Sequence, residues 1–146
     1  MSDVILRVAA KSVIINQKGE VLLIREAATY DDGTNLGKYQ IPGGRLNTGE
    51  SYEDGLHREA KEETSLKIKP LYPIYVGEWH PIIKGVPHQI IAIFTVCEAI
   101  TNDIKLSEEH DDYKWVNPAK LPKDIALTDP DPEVLKRYSS WAKKLH

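Results

Sequence analysis

Several things are scarce in this 146-residue chain: it has one cysteine, one methionine and one phenylalanine, and no excess of basic residues. No uninterrupted apolar run reaches the length of about 18 residues that a membrane-spanning helix needs. Asp3 and Arg7 interrupt the first apolar stretch, which argues against a signal peptide. With 19 Lys and Arg against 22 Asp and Glu, the formal net charge is -3. That balance excludes broad electrostatic attraction to polymeric nucleic acid or anionic lipid. A small phosphate ligand stays compatible with it, because a bound cation reverses the local field of an acidic cleft. The single cysteine, Cys97, lies in an apolar run and cannot form an internal disulfide, so it reads as core and the cytoplasm is the expected compartment. Internal repeats, low-complexity tracts and linkers are also missing, so residues 1–146 read as a single domain.

What is present is ordinary for a soluble globular protein, 41% hydrophobic and 28% charged. Val4 to Asn16 is rich in aliphatic and β-branched residues. Turn chemistry at Gln17-Lys18-Gly19-Glu20 and a second apolar run, Val21 to Ile24, complete a β-hairpin pattern. Ala28 to Lys38, with Asp31, Asp32, Gly33, Asn35 and Gly37, reads as a loop. A short strand at Tyr39-Gln40-Ile41 ends on Pro42-Gly43-Gly44, where the chain is expected to turn sharply. Ser51, with Asp54 three residues on, starts a helix running to about Ser65. Strands are expected near Ile74 to Trp79 and Gln89 to Glu98, joined through Lys84-Gly85 and Pro87, with another at Tyr113 to Val116. Pro132 to Leu145 carries Val134, Leu135, Tyr138, Trp141 and Ala142 at helical spacing. The sum is one α+β domain.

The first helix carries the chemistry. Glu59, Glu62 and Glu63 stand at i, i+3 and i+4 and so share one face. Like charges at such spacing destabilise an isolated helix by about 0.2–0.5 kcal/mol per pair, a cost that a divalent cation would reverse. Gly55 and the docking residues Leu56 and Ala60 lie nearby. An arbitrary Glu/Lys-rich helix is more often a solvated face, so the helix proves little alone.

Residues 44–66, GRLNTGESYEDGLHREAKEETSL, resemble the Nudix box, GX5EX7REUXEEXGU with U aliphatic. Gly44, Glu50, Arg58, Glu59, Ala60, Glu62, Glu63 and Leu66 stand in register. From typical residue usage, a one-mismatch hit has a chance on the order of one in 100,000. The departure is Ser65, where the family places a glycine whose left-handed conformation costs another residue about 1 kcal/mol. Pro42-Gly43, the flanking strands and Tyr113 to Val116 are also similar to the family's domain.

The resemblance implies a Nudix fold, a mixed β-sheet sandwiched between α-helices. It implies Mg2+ as cofactor, with Mn2+ as a substitute. Glu59, Glu62 and Glu63 become metal ligands, with the Gly43 carbonyl as a further oxygen donor. Arg58 would orient the glutamates, and Glu50 would lie near the metals. Glu50, Arg45 and Tyr39 are the substrate-binding candidates. The general base stays open between Glu62 and Glu108 or Glu109 in the SEEHDD segment, which reads equally well as an exposed acidic turn. The catalytic set is therefore Glu62, Arg58, Glu59 and Glu109.

His57 points away from the glutamate face, and His80 and His88 read as turn or rim residues. Tyr30, Tyr39 and Trp79 are stacking candidates whose plainer role is packing.

The implied reaction is hydrolysis of the diphosphate linkage in a small nucleotide derivative. Pro81, about fifteen residues past the box, is the family's weak mark of ADP-ribose enzymes, so the lean is toward nucleoside diphosphate sugars. The alternatives are a nucleoside triphosphate pyrophosphohydrolase and a binding module that does not cleave, the latter disfavoured by the intact acidic set. An unrelated α+β domain of chance similarity would bind no divalent ion. Relatives that use ADP-ribose are often dimers, so a homodimer is among the expectations.

Overall fold

The computed structural model describes residues 3–29 and 35–145, so Tyr30 and positions 30–34 of the expected 28–38 loop lie outside the described residues. The elements run β1 (Ile5–Ile15), β2 (Val21–Glu26), β3 (Tyr39–Gln40), β4 (Gly43–Arg45), α1 (Tyr52–Thr64), β5 (Ile68–Trp79), β6 (Ile82–Ile83), β7 (Val86–Ala99), β8 (His110–Val116) and α2 (Asp131–Leu145).

The spine is a parallel pair. β1 and β7 run side by side from Ile5–His88 to Ile15–Glu98 without a break. Antiparallel neighbours complete the order β3-β2-β1-β7-β5, with β8 on β2, β6 on β7 and β4 on β1. Side chains alternate across a strand, so β1 feeds two cores. Ala10 and Ile14 meet Leu22, Ile24 and Cys97 under Leu56 and Ala60 of α1. Ala9 and Val13 meet Phe94 and Val96 under Val134, Leu135 and Tyr138 of α2. The sheet is therefore held between the two helices, as expected. Burying each large aliphatic side chain contributes about 1.5–3 kcal/mol.

Three differences from the sequence reading have physical causes. β5 begins at Ile68 rather than near Ile74, although Pro70 and Pro73 fall inside it. A proline lacks the N–H that a central strand needs, but β5 ends the strand order and its register shifts at both prolines. Gly43–Arg45, read as a turn, is a strand paired with Ala9 to Lys11. Gly43 has φ +142°, and a Cβ there would lie 2.2 Å from the Ala10 carbonyl oxygen, so only glycine lets the chain come this close. His110, Asp111 and Asp112 belong to β8, which leaves Glu108 and Glu109 as the turn.

Helix α1 follows its sequence signals closely. Ser51 caps it, its side chain accepting from the Asp54 N–H at 3.1 Å. Ser65 takes the left-handed conformation, φ 65° and ψ 7°, and its N–H donates to the Lys61 carbonyl oxygen. Its hydroxyl also donates to the Lys105 carbonyl oxygen at 2.9 Å, a contact a glycine would lack. Ser65→Ala should therefore lower stability by about 0.5–1.5 kcal/mol, because the strained backbone stays and the hydrogen bond goes. Ser65→Gly, which loses the bond but relieves about 1 kcal/mol of strain, should stay near wild type in urea denaturation.

Candidate active site

Helix α1 turns Glu59, Glu62 and Glu63 toward the β4 backbone, where they line a cavity of about 390 Å³ with Gly43, Gly44, Arg45, Ser107 and Glu109. Their exposure differs: the Glu62 side chain is 59% exposed and that of Glu63 only 10%. Arg58 ties this face together. Its guanidinium grips Glu50 at 2.6 and 2.9 Å and reaches Glu59 at 3.0 Å and Glu62 at 3.1 Å. It also donates to the Arg45 carbonyl oxygen at 3.1 Å, which fastens the helix to β4. Hydrogen bonds from Arg58 and from the Asn47 N–H hold the Glu50 carboxyl down at about 2.

Glu63 is buried, and the Gly43 N–H donates to its Oε1 at 2.5 Å. Burial pushes its carboxyl up to about 8 and raises Glu59 as well. Packed acids that resist ionisation in a cavity lined by carboxylate oxygens fit a hard divalent cation. Glu63, Glu109 and His110 each offer a ligand atom within 4.8 Å of the others. His110 Nε2 lies 3.8 Å from Glu63, but burial lowers this imidazole to about 4, so near pH 7 it approaches as a neutral ring. Glu109 reaches the cavity because its segment is anchored. The Ser107 N–H donates to the Glu63 carbonyl oxygen at 3.3 Å, and the Ala27 N–H donates to that of Glu109 at 2.8 Å.

Two further cavities continue the cleft. One, about 320 Å³, shares Gly43, Gly44 and Arg45 with the acidic cavity and adds Ala9, Lys11 and Trp79. The next, about 410 Å³, shares Lys11 and Trp79 and adds Gln40, Pro81, Thr128 and Asp131. The Thr128 hydroxyl oxygen is buried there without a hydrogen-bond partner among the described residues.

The predicted residues are thus sorted. Glu59, Glu62, Glu63, Gly43, Arg45 and Glu109 share one cavity. Glu50 does not line it, since its carboxylate is held by Arg58 instead. Tyr39, expected at substrate, is a correction: its ring packs in the α2-side core and its hydroxyl donates to Asp112. Trp79 does wall the cleft. His57 and His80 are exposed beside Glu53 and Glu78, whereas His88 is buried and bonded to the Val86 carbonyl oxygen.

The sequence reading passed over Lys11, Asp131 and the burial of His110. A lysine amid the apolar residues of β1 was the legible signal for the first. For Asp131, at the first position of α2, the signal was an acidic residue at a helix N-terminus. Asp131 is buried, and its Oδ2 accepts from the Ile41 N–H at 2.7 Å. Burial raises its carboxyl from 3.8 to about 6. The folded protein therefore holds this proton more tightly than the unfolded chain, so the group's stabilising contribution is complete below about 4 and lost as pH rises to about 6. Measured by denaturation, the stability of wild type relative to Asp131→Asn should fall across that window and level off above it.

Residues 5–138 match the NUDIX domain family. A nucleoside triphosphatase NudI from Klebsiella pneumoniae is 33% identical over 118 residues, 74% of this chain and 80% of that protein. The crystal structure of a MutT protein from Methanosarcina mazei superposes with a TM-score of 0.82 at 29% identity, covering 98% of this chain and 99% of the other. An ADP-ribose pyrophosphatase from Streptococcus suis shares the fold, with a TM-score of 0.69 at 17% identity over 96% of this chain and 94% of its own. The acid-bearing helix clipped to a glycine strand and the match along nearly the whole described chain agree: the chain belongs to the NUDIX domain family.

Proposed function

We propose that this Nudix hydrolase breaks a phosphoanhydride bond in a small nucleoside phosphate, with Mg2+, or Mn2+ in its place, held by Glu59, Glu62 and Glu63 and the Gly43 carbonyl. The observation that carries this reading is continuity: the acidic cavity, the cavity of Arg45 and Lys11, and the Trp79-walled cavity adjoin through shared residues. One end suits a charged phosphate chain and the other a flat, partly apolar group.

Bound there, the cation would supply charge neutralisation on the phosphoryl oxygens. The chain's own residues do the rest. Arg58 holds Glu59 and Glu62 in place and acts as a positioning residue. Glu109, at the cavity's edge on an anchored turn, takes the proton of the attacking water. Glu108, on the same turn, does not line that cavity. Arg45 meets the departing phosphate from the rim.

For the substrate, two readings have support. The NudI relative at 33% identity, a nucleoside triphosphatase, favours a nucleoside triphosphate as substrate, for which the reaction we infer is cleavage to monophosphate and pyrophosphate. Pro81, in the wall of the Trp79 cavity, favours ADP-ribose or another nucleotide sugar, for which the Streptococcus suis enzyme offers fold alone. We put the triphosphate first, because sequence likeness carries further than a single proline. Residues 1–146 are read as one working domain of the cytoplasm. Among the described residues no helix is long and apolar enough to cross a membrane. The homodimer goes with the ADP-ribose reading, and sedimentation velocity tests it.

Product analysis across triphosphates, nucleotide sugars and dinucleotides, with Mg2+ and with chelator, tests the function. Turnover should need the metal, and a protein that cleaves none of these compounds with Mg2+ would refute the assignment. Glu62→Gln and Glu63→Gln should each lower kcat by on the order of 100-fold or more with the fold kept, since even outer-shell partners of a metal cost 10–100-fold. Glu109→Gln should lower it by about 100- to 10,000-fold, while Glu108→Gln stays near wild type. Equal rates for the two turn variants would remove Glu109 from the mechanism.

A further inference from the structure

Lys11 is the oddest residue in the sheet. Ala9, Val13 and Ile15 on the same face of β1 pack in or against the α2-side core, yet between them stands a lysine only 9% exposed. At this point β1 is flanked by Gly43 of β4 on one side and Phe94 of β7 on the other, so no edge of the sheet opens beside it. Burying an ammonium is strongly unfavourable unless partners surround it. Among the described residues, however, Lys11 makes no side-chain hydrogen bond and no ion pair within 4.0 Å.

Its surroundings explain how it is tolerated. Its charge is felt by Glu59 and Glu63 of α1, by His110 of β8 and by Asp131 of α2, so it lies near three acids and an imidazole without being bonded to any of them. It lines both cavities that lead from the acidic cavity to the Trp79 wall. The other cations of those two cavities, Lys38, Arg45 and Lys84, are exposed at the rim. Lys11 alone is deep.

We propose that Lys11 is the docking cation for the phosphate that joins the nucleoside to the rest of the substrate. Its ammonium meets a non-bridging oxygen of that phosphate, between the acids that hold the metal and the Trp79-walled cavity. A compact charge with three rotatable donors suits a phosphate oxygen, and its unused donors are what such a ligand satisfies. This rests on the proposed function, since it needs a nucleoside phosphate in the cleft. The competing account is that Lys11 only balances the buried charge of Asp131 and Glu63.

The test uses the full chain with Mg2+ and three variants: Lys11→Met, Lys11→Arg, and Lys11→Met combined with Asp131→Asn, which removes the opposite charge along with the lysine. Equilibrium binding of AMP, GMP, CMP and UMP is compared with binding of the four parent nucleosides, beside kcat and KM for whichever nucleotide wild type cleaves. In Lys11→Met and in the double variant, monophosphate affinity should drop about tenfold or more and lose part of its salt dependence, while nucleoside affinity holds. Lys11→Arg should recover most of the loss. Unchanged monophosphate affinity and KM in Lys11→Met, with wild type active, overturns the role of Lys11 and leaves the proposed function standing. Equal loss of nucleoside and monophosphate affinity assigns Lys11 to packing and overturns it too. Wild type that cleaves no nucleotide overturns the proposed function, and the Lys11 assignment falls with it.

Discussion

One guanidinium holds the cleft in shape. Three glutamates on one face of α1 repel one another, and a fourth acid, Glu50, sits on the loop before the helix. Arg58 meets Glu50 with two parallel hydrogen bonds and reaches Glu59 and Glu62 with a third and fourth. Its fifth contact, to the Arg45 carbonyl oxygen, is not electrostatic balance but attachment: it fixes the helix against β4. A lysine has the charge but not the planar fork that spreads five donors over four residues. The acids are thus held in their arrangement by contacts within the chain itself.

The two sides of the cleft solve the problem of buried charge differently. On the α1 side, burial drives Glu63 and Glu59 toward their protonated forms. Beneath the cleft, Lys11 keeps acids of α1 and α2 within range of its charge without pairing to one of them. An acid bonded to it would have occupied its donors.

The sheet makes both arrangements available at one place. Because β1 lies in the middle, paired to β7 along its whole length and to β4 at Ala9 to Lys11, its odd-numbered residues reach the Trp79 side. The two glycines of β4 press its backbone between β1 and the acids: a Cβ on Gly44 would come within 2.6 Å of the Glu59 carboxylate. A side chain at Gly43 would strike the backbone of β1, and one at Gly44 would displace the Glu59 carboxylate from its place in the acidic cavity.

Much of this was legible in the residues. The span of α1, its Ser51 cap, the shared face of Glu59, Glu62 and Glu63, and the apolar stripe of α2 follow from spacing, because a helix converts separation in sequence directly into direction in space. What spacing could not say was which charged residues are buried. Lys11, His110 and Asp131 are far apart in the chain, and only the folded sheet brings the other two within range of the lysine's charge. Tyr39 shows the reverse: an aromatic beside the box looked like a substrate contact, and the pairing of β3 with β2 turned it into the core. Sequence alone determined the family and the shared face of the three glutamates, since these rest on local periodicity and on residue types standing in that order. Tertiary structure alone decided the depth of each charge and the far wall of the cleft, because burial depends on contacts between segments that no local pattern records.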